Sequence, residues 1–135
     1  MKTLLALFLL FPLSSFAKKP ESDFNRAQTL WTNFRACESQ IKNELNLINC
    51  IDGYINSKIT RYEKGKLASY LAMGFSFSEL FECKDVKDLL PLNPKEDEKY
   101  FCMNVLGNKS KLPGFITVTS ENNKFKLNSI KYNDK

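Results

Sequence analysis

Near the end of the chain stand Gly114-Phe115-Ile116-Thr117-Val118-Thr119-Ser120, then Glu121-Asn122-Asn123, then Lys124-Phe125-Lys126-Leu127-Asn128-Ser129-Ile130-Lys131-Tyr132. The run from Phe115 to Ser120 is mainly β-branched or aromatic, the side chains that suit a pleated, half-buried surface. Glu121-Asn122-Asn123 predicts a tight turn, and Lys124 to Tyr132 is the partner strand. In that second strand Phe125 and Leu127 share one face, because strand side chains alternate, yet Ile130 falls on the other. A β-bulge near Asn128-Ser129 reconciles them, since one inserted residue resets the alternation and bends the sheet.

Upstream, Tyr100 to Leu106 reads as another strand, followed by the turn signals Gly107-Asn108-Lys109-Ser110 and Pro113-Gly114. Between Phe75 and Cys83, aromatic positions alternate with Ser76, Ser78 and Glu82, which fits a strand or a helix-to-strand passage. Ser76-Phe77-Ser78-Glu79 also matches a capping box, so a short helix stays open. Asp85 to Leu90 reads as a helical turn stopped by Pro91 and Pro94, and residues 91–98 as an exposed polar loop.

The first half is helical in pattern. Ser22 or Asp23 can cap a helix starting near Phe24, with Phe24, Ala27, Trp31 and Phe34 on one face. Ile41, Leu45, Leu47, Ile48 and Ile51 continue the pattern until Gly53. Residues 55–73 form a further helix, burying Ile59, Tyr62, Leu67, Tyr70 and Leu71, with Gly65 as a point where it splits. Lys58, Arg61 and Lys64 make a solvated basic stripe. Helices first and an antiparallel meander afterwards define an α+β chain: N-terminal helices packed on a bent antiparallel sheet of three to four strands.

The chain opens with Met1-Lys2, an apolar run to Leu13, and Ser14-Ser15-Phe16-Ala17. That order reads as a signal peptide, residues 1–17, cut after Ala17; residues 18–135 form a single compact domain. The apolar run is about 11 residues, whereas a membrane span takes roughly 20. The product is therefore expected in a periplasm or medium, with no membrane span.

Cys37, Cys50, Cys83 and Cys102 all fall in the domain. An even count in an exported chain reads as two disulfides, with buried free thiols as the competing reading. Spacings of 13, 33 and 19 lack the close pairs of a zinc knuckle. On one straight helix Cys37 and Cys50 would lie about 20 Å apart, so joining them demands a turn, which Glu38-Ser39-Gln40 and Asn43 can supply. Given that turn, Cys37–Cys50 and Cys83–Cys102 are the preferred pairs.

The chain has no histidine, which excludes Ser-His-Asp and Cys-His mechanisms. Its 20 basic and 15 acidic side chains give a formal charge of +5, too mild for a dedicated nucleic-acid binder. Lys109, Lys111, Lys124, Lys126 and Lys131 cluster on the last hairpin; with Phe115 and Phe125 such a set can grip a nucleic acid or polyanionic glycan, but the favoured reading is that Lys124 and Lys126 keep an exposed strand from pairing with another chain. Asn108-Lys109-Ser110 is a formal glycosylation sequon. Glu96-Asp97-Glu98 lacks the spacing and glycine turn of a calcium loop. No metal or cofactor is called for.

The tail from Gly114 to Ile130 resembles the closing hairpin of the nuclear transport factor 2-like, cystatin-like superfamily. Members often end in an apolar strand, a Glu-Asn-Gly-type turn, Lys-aromatic-Lys-aliphatic and a final Ile. Asn123 stands here where glycine is usual, and Phe125 where tryptophan is frequent. Phe34-Arg35-Ala36-Cys37 before a polar turn is compatible with the opening of that fold. The resemblance implies a bent sheet wrapped around helices and a cone-shaped apolar pocket. Asp/Tyr enzymes among such relatives make Asp52, Tyr54, Tyr70, Asp85 and Tyr100 candidates for acid–base work. Aromatic residues able to line the cone are Trp31, Phe34, Tyr70, Phe77, Tyr100, Phe115 and Phe125; ordinary core packing is the competing reading for each. The expected function is an exported binding domain for a small apolar ligand or a protein partner. An isomerase or lyase, or a secreted inhibitor or effector, are the alternatives.

Overall fold

The computed structural model describes residues 21–41, 43–83, 97–107 and 110–132. The leader, the expected helical turn at 85–90, Asp85 itself, the sequon asparagine and all but the end of the 91–98 loop lie outside these residues.

Helix α1, Asp23–Ala36, begins where expected: the Ser22 hydroxyl accepts the Asn25 N–H at 3.2 Å. Ala27, Leu30, Trp31 and Phe34 form its buried stripe. A short 3-10 turn, Cys37–Gln40, comes next, and Asn43 caps α2, Glu44–Asp52, by accepting the Leu45 N–H at 2.9 Å. This reversal brings the Cα atoms of Cys37 and Cys50 to 5.8 Å, and a disulfide joins them. Leu47 and Ile51 are buried, while Leu45, from the same pattern, is 63% exposed.

The third helix differs from the sequence reading in three ways. It spans Arg61–Ala72 rather than 55–73, capped by Thr60, whose hydroxyl accepts the Glu63 N–H at 3.1 Å. Residues 54–56 are held elsewhere: the Asn56 N–H donates to Leu127 O at 3.0 Å and the Leu127 N–H to Tyr54 O at 2.8 Å. Gly65 does not split α3, because Leu67, Ala68, Tyr70 and Leu71 anchor the turns beyond it. Tyr62 is 77% exposed, since it lies off the face those residues bury.

The sheet is antiparallel with order β1-β2-β3-β4: Ser76–Phe77, Glu98–Leu106, Lys111–Glu121 and Lys124–Tyr132. The chain is α+β, with helices packed on a four-stranded sheet. Asn122 and Asn123 turn the hairpin with φ of 53° and 66°, a left-handed pair that asparagine tolerates. The bulge sits where the sequence places it: Thr117 faces Ser129 but Val118 faces Leu127, leaving Asn128 as the inserted residue. Phe125, Leu127 and Ile130 are thereby all buried.

Pro113-Gly114 is not a turn. Both lie within β3, paired with Asn104 and Met103. Pro113 precedes the first β3–β4 pair, Gly114 with Tyr132, so its missing N–H costs that ladder nothing. Gly114 is there for close approach: a Cβ would lie 2.5 Å from the Lys131 carbonyl oxygen and 3.0 Å from Met103 Cε.

The core fills the space between the helices and one sheet face, carrying Met103, Val105, Ile116, Val118, Phe125, Leu127 and Ile130. Trp31 stacks on Phe34 at 5.8 Å and meets Phe77 edge-on at 5.3 Å, and its indole N–H donates to Ser78 O at 2.9 Å. Arg35 reaches Phe77 O at 3.1 Å and Glu79 at 3.2 Å. These bonds strap residues 77–79 onto α1. A second disulfide, Cys83–Cys102, with Cα atoms 5.2 Å apart, holds the end of the strap to β2.

Tyr70 is buried beside Phe75, 5.5 Å away, and Tyr132, 6.0 Å away. Burial first, then the neighbouring Tyr132 and Glu63 charges, push its phenol above the ordinary value of 10.0. The folded state thus disfavours the phenolate. This contribution to stability is fully present below pH 10.0 and is lost as the pH rises through the higher folded-state value. Tyr70→Phe is expected to flatten the alkaline loss of stability, read as the urea midpoint between about pH 9 and 11. An unchanged slope would remove Tyr70 as its cause.

Candidate functional site

The alternate positions of the sheet, those facing away from the core, carry a different chemistry. On β2 they are Glu98 and Tyr100; on β3 Phe115, Thr117 and Thr119; on β4 Ser129 and Lys131, with Asn128 added by the bulge. Register sets Tyr100 and Ser129 on either side of Thr117, and Glu98 across from Thr119. Asn56, Lys58, Ile59, Thr60 and Glu63 make a side wall. The cleft has a volume of about 890 Å³. Small-molecule sites run from roughly 300 to 1,000 Å³.

A network of short polar side chains crosses the floor. Thr117 and Ser129 hydroxyls meet at 2.6 Å. The Asn128 amide donates to Thr119 Oγ1 and, at 3.3 Å, to Glu98 Oε1. Its oxygen accepts from Asn56 Nδ2 at 2.8 Å, and Asn56 Oδ1 accepts the Lys58 N–H at 2.9 Å. The Tyr100 hydroxyl lies 3.5 Å from Glu98 Oε2, and its ring stands edge-on to Phe115 at 5.7 Å. Thr117, only 4% exposed, is one of two buried polar residues among those described, the other being Asn56. Lys58, Lys131, Glu63 and Asp97 complete the lining with charge.

Of the seven aromatic residues expected to line a pocket, Tyr100 and Phe115 do so. Trp31, Phe34, Tyr70 and Phe77 belong to the closed core. Phe125 is buried under the Arg26 guanidinium, 4.0 Å from its ring centroid, beside a smaller hollow of about 390 Å³. Among the acid–base candidates, Asp52 pairs with Lys64 on the helices, Tyr54 borders the smaller hollow and Tyr70 is in the core. Of the described candidates, only Tyr100 reaches the cleft, and none of Asp52, Tyr54 and Tyr70 joins it there.

The sequence reading missed Asn56, Glu98, Thr117, Thr119, Asn128 and Ser129 as cleft residues. Their signal was present. Apart from Asn56 and Glu98, they occupy the hairpin positions that alternate with the core-facing Ile116, Val118 and Ile130, plus the bulge residue itself. Among the described residues no cluster of His, Cys, Asp and Glu could hold a metal ion, and no helix is long and apolar enough to cross a membrane. Comparison with protein-family models, curated proteins and solved structures returned no match.

Asn128→Ala removes the acceptor of the buried Asn56 amide and the donor to Glu98 and Thr119. It is expected to cost about 1–3 kcal/mol, read from urea unfolding, because an unpaired buried amide bears its own desolvation cost. A loss below a few tenths would show that water or neighbours satisfy those groups.

Proposed function

We propose that this chain is an exported, non-catalytic binding domain whose site is the cleft on the core-free face of the sheet. The observation that carries this reading is the floor network. Hydroxyl, amide and carboxylate groups are tied to one another beside two aromatic rings, on a face the core does not need. A pre-ordered polar floor lowers the entropy cost of binding. The domain's two disulfides support export, because such bonds persist in oxidising compartments. So does the leader pattern that ends at Ala17. The bulged closing hairpin under helices supports kinship with the nuclear transport factor 2-like, cystatin-like superfamily.

An isomerase or lyase reading rests on the 3.5 Å approach of the Tyr100 hydroxyl to Glu98. That distance is at the outer limit of a hydrogen bond, so it carries less than the network does. An effector acting on a foreign protein would use exposed apolar side chains. Those on the helical half are divided between Ile41 and Leu45 near the first reversal and Tyr62 and Met73 at α3.

Two measurements test the proposal. Protein recovered from its host should begin at Lys18 and show no free thiol when denatured without reductant; retention of Met1 with titratable thiols would refute export. In a fragment screen by ligand-observed NMR, hits on the wild type should be lost in Lys131→Trp, which fills the exposed rim with little expected change in stability, within about 0.5 kcal/mol. Hits that survive the substitution would place the binding site elsewhere.

A further inference from the structure

Resting on that reading, we propose that the cleft takes a short neutral saccharide. A sugar ring has an apolar C–H face and a rim of hydroxyls, each both donor and acceptor. Its complement is an aromatic surface beside fixed groups that can donate and accept. The cleft supplies this pairing: the half-buried Tyr100 ring, backed edge-on by the buried Phe115 5.7 Å away, next to the Thr117–Ser129 hydroxyl pair and the Asn128–Glu98 amide–carboxylate pair. Glu98 retains acceptor capacity beyond these bonds, since a carboxylate offers about four lone-pair sites.

Charge narrows the class. The lining carries Glu63, Asp97 and Glu98 together with Lys58 and Lys131, three carboxylates and two ammonium groups. This balance disfavours a polyanion such as a nucleic acid or sulfated glycan. Polarity narrows it from the other side. An acyl chain seated on the half-buried Thr119, Asn128 and Ser129 would strip water from their polar groups and return no hydrogen bond. A neutral polyhydroxylated ligand meets neither penalty.

The test is an NMR titration of isotope-labelled protein expressed from the full chain. The probes are maltotetraose, cellotetraose and tetra-N-acetylchitotetraose, with a heparin tetrasaccharide and palmitate as comparisons. At least one neutral saccharide should produce saturable shifts at Tyr100, Thr117, Thr119 and Ser129. Tyr100→Leu should weaken that binding roughly tenfold or more, as expected when an aromatic anchor is lost. Glu98→Gln, which keeps the side chain's shape, serves as the second variant and should also weaken it. Absence of cleft shifts with all three neutral probes overturns the saccharide assignment. If palmitate or heparin shifts the cleft residues instead, the assignment falls while the cleft reading stands. Saccharide shifts confined to the Arg26–Phe125 side overturn both.

Discussion

The inserted residue in β4 is the constraint on which the rest of the structure depends. Phe125, Leu127 and Ile130 must all reach the core, and a regular strand cannot deliver them, because positions 127 and 130 differ by an odd number. Placing Asn128 outside the ladder between Thr117 and Val118 resolves the conflict. Leu127 is then fully buried and Ile130 nearly so. The same insertion moves Ser129 and Lys131 to the opposite face. It is at Leu127, beside the bulge, that Tyr54 and Asn56 dock against β4. One irregularity thus serves the core, the cleft floor and the cleft wall.

Around that hairpin, the helical layer is held by fastenings rather than by helix length. None of the helices among the described residues exceeds 14 residues, and helices this short are marginal without tertiary packing. The 3-10 turn after α1 and the Asn43 cap fold α2 back, and the Cys37–Cys50 bond fixes the reversal across 13 residues. In the chain-entropy view a closed loop of that size contributes on the order of 3 kcal/mol. Residues 77–79 leave the sheet after a two-residue strand and one further bond, from the Ser78 N–H to Asn104 O at 2.9 Å. Trp31 and Arg35 on α1 therefore hydrogen-bond their carbonyls, and the Cys83–Cys102 bond ties the chain to β2 four residues further on.

Features written in local chemistry were legible in the sequence. The Ser22 cap, the Asn43 reversal, the Asn122-Asn123 turn and the bulge obey rules that act over a few residues, and the reversal in turn favours Cys37–Cys50 with Cys83–Cys102 as its complement. The failures share a cause. Pro113-Gly114 reads as a turn, yet the close approach of β4 requires a residue without a side chain at 114. Residues 55 and 56 read as helix, yet Leu127 of β4 bridges to them instead. Gly65 weakens α3 locally, but the buried side chains beyond it decide. In each case a distant segment supplied the deciding contact, and periodicity cannot report that.

Most of the aromatic pocket candidates lie in the core for a related reason. Large aromatic residues carry the strongest sequence signal, so they suggest a pocket. In a domain of this size they are also the best core material, burying about 150–250 Å² each. Trp31, Phe34, Tyr70 and Phe77 accordingly close the core and are unavailable to a ligand. What the sheet has left for its other face is Thr, Ser, Asn and Glu, individually ordinary in sequence. They come together as a cleft floor only through register, which sets Thr117 between Tyr100 and Ser129 and joins Asn128 to Glu98 across β3. The informative pattern was therefore the polar complement of the buried alternation. In a bent sheet with one face committed to the core, that complement is where binding chemistry can accumulate at little cost to stability.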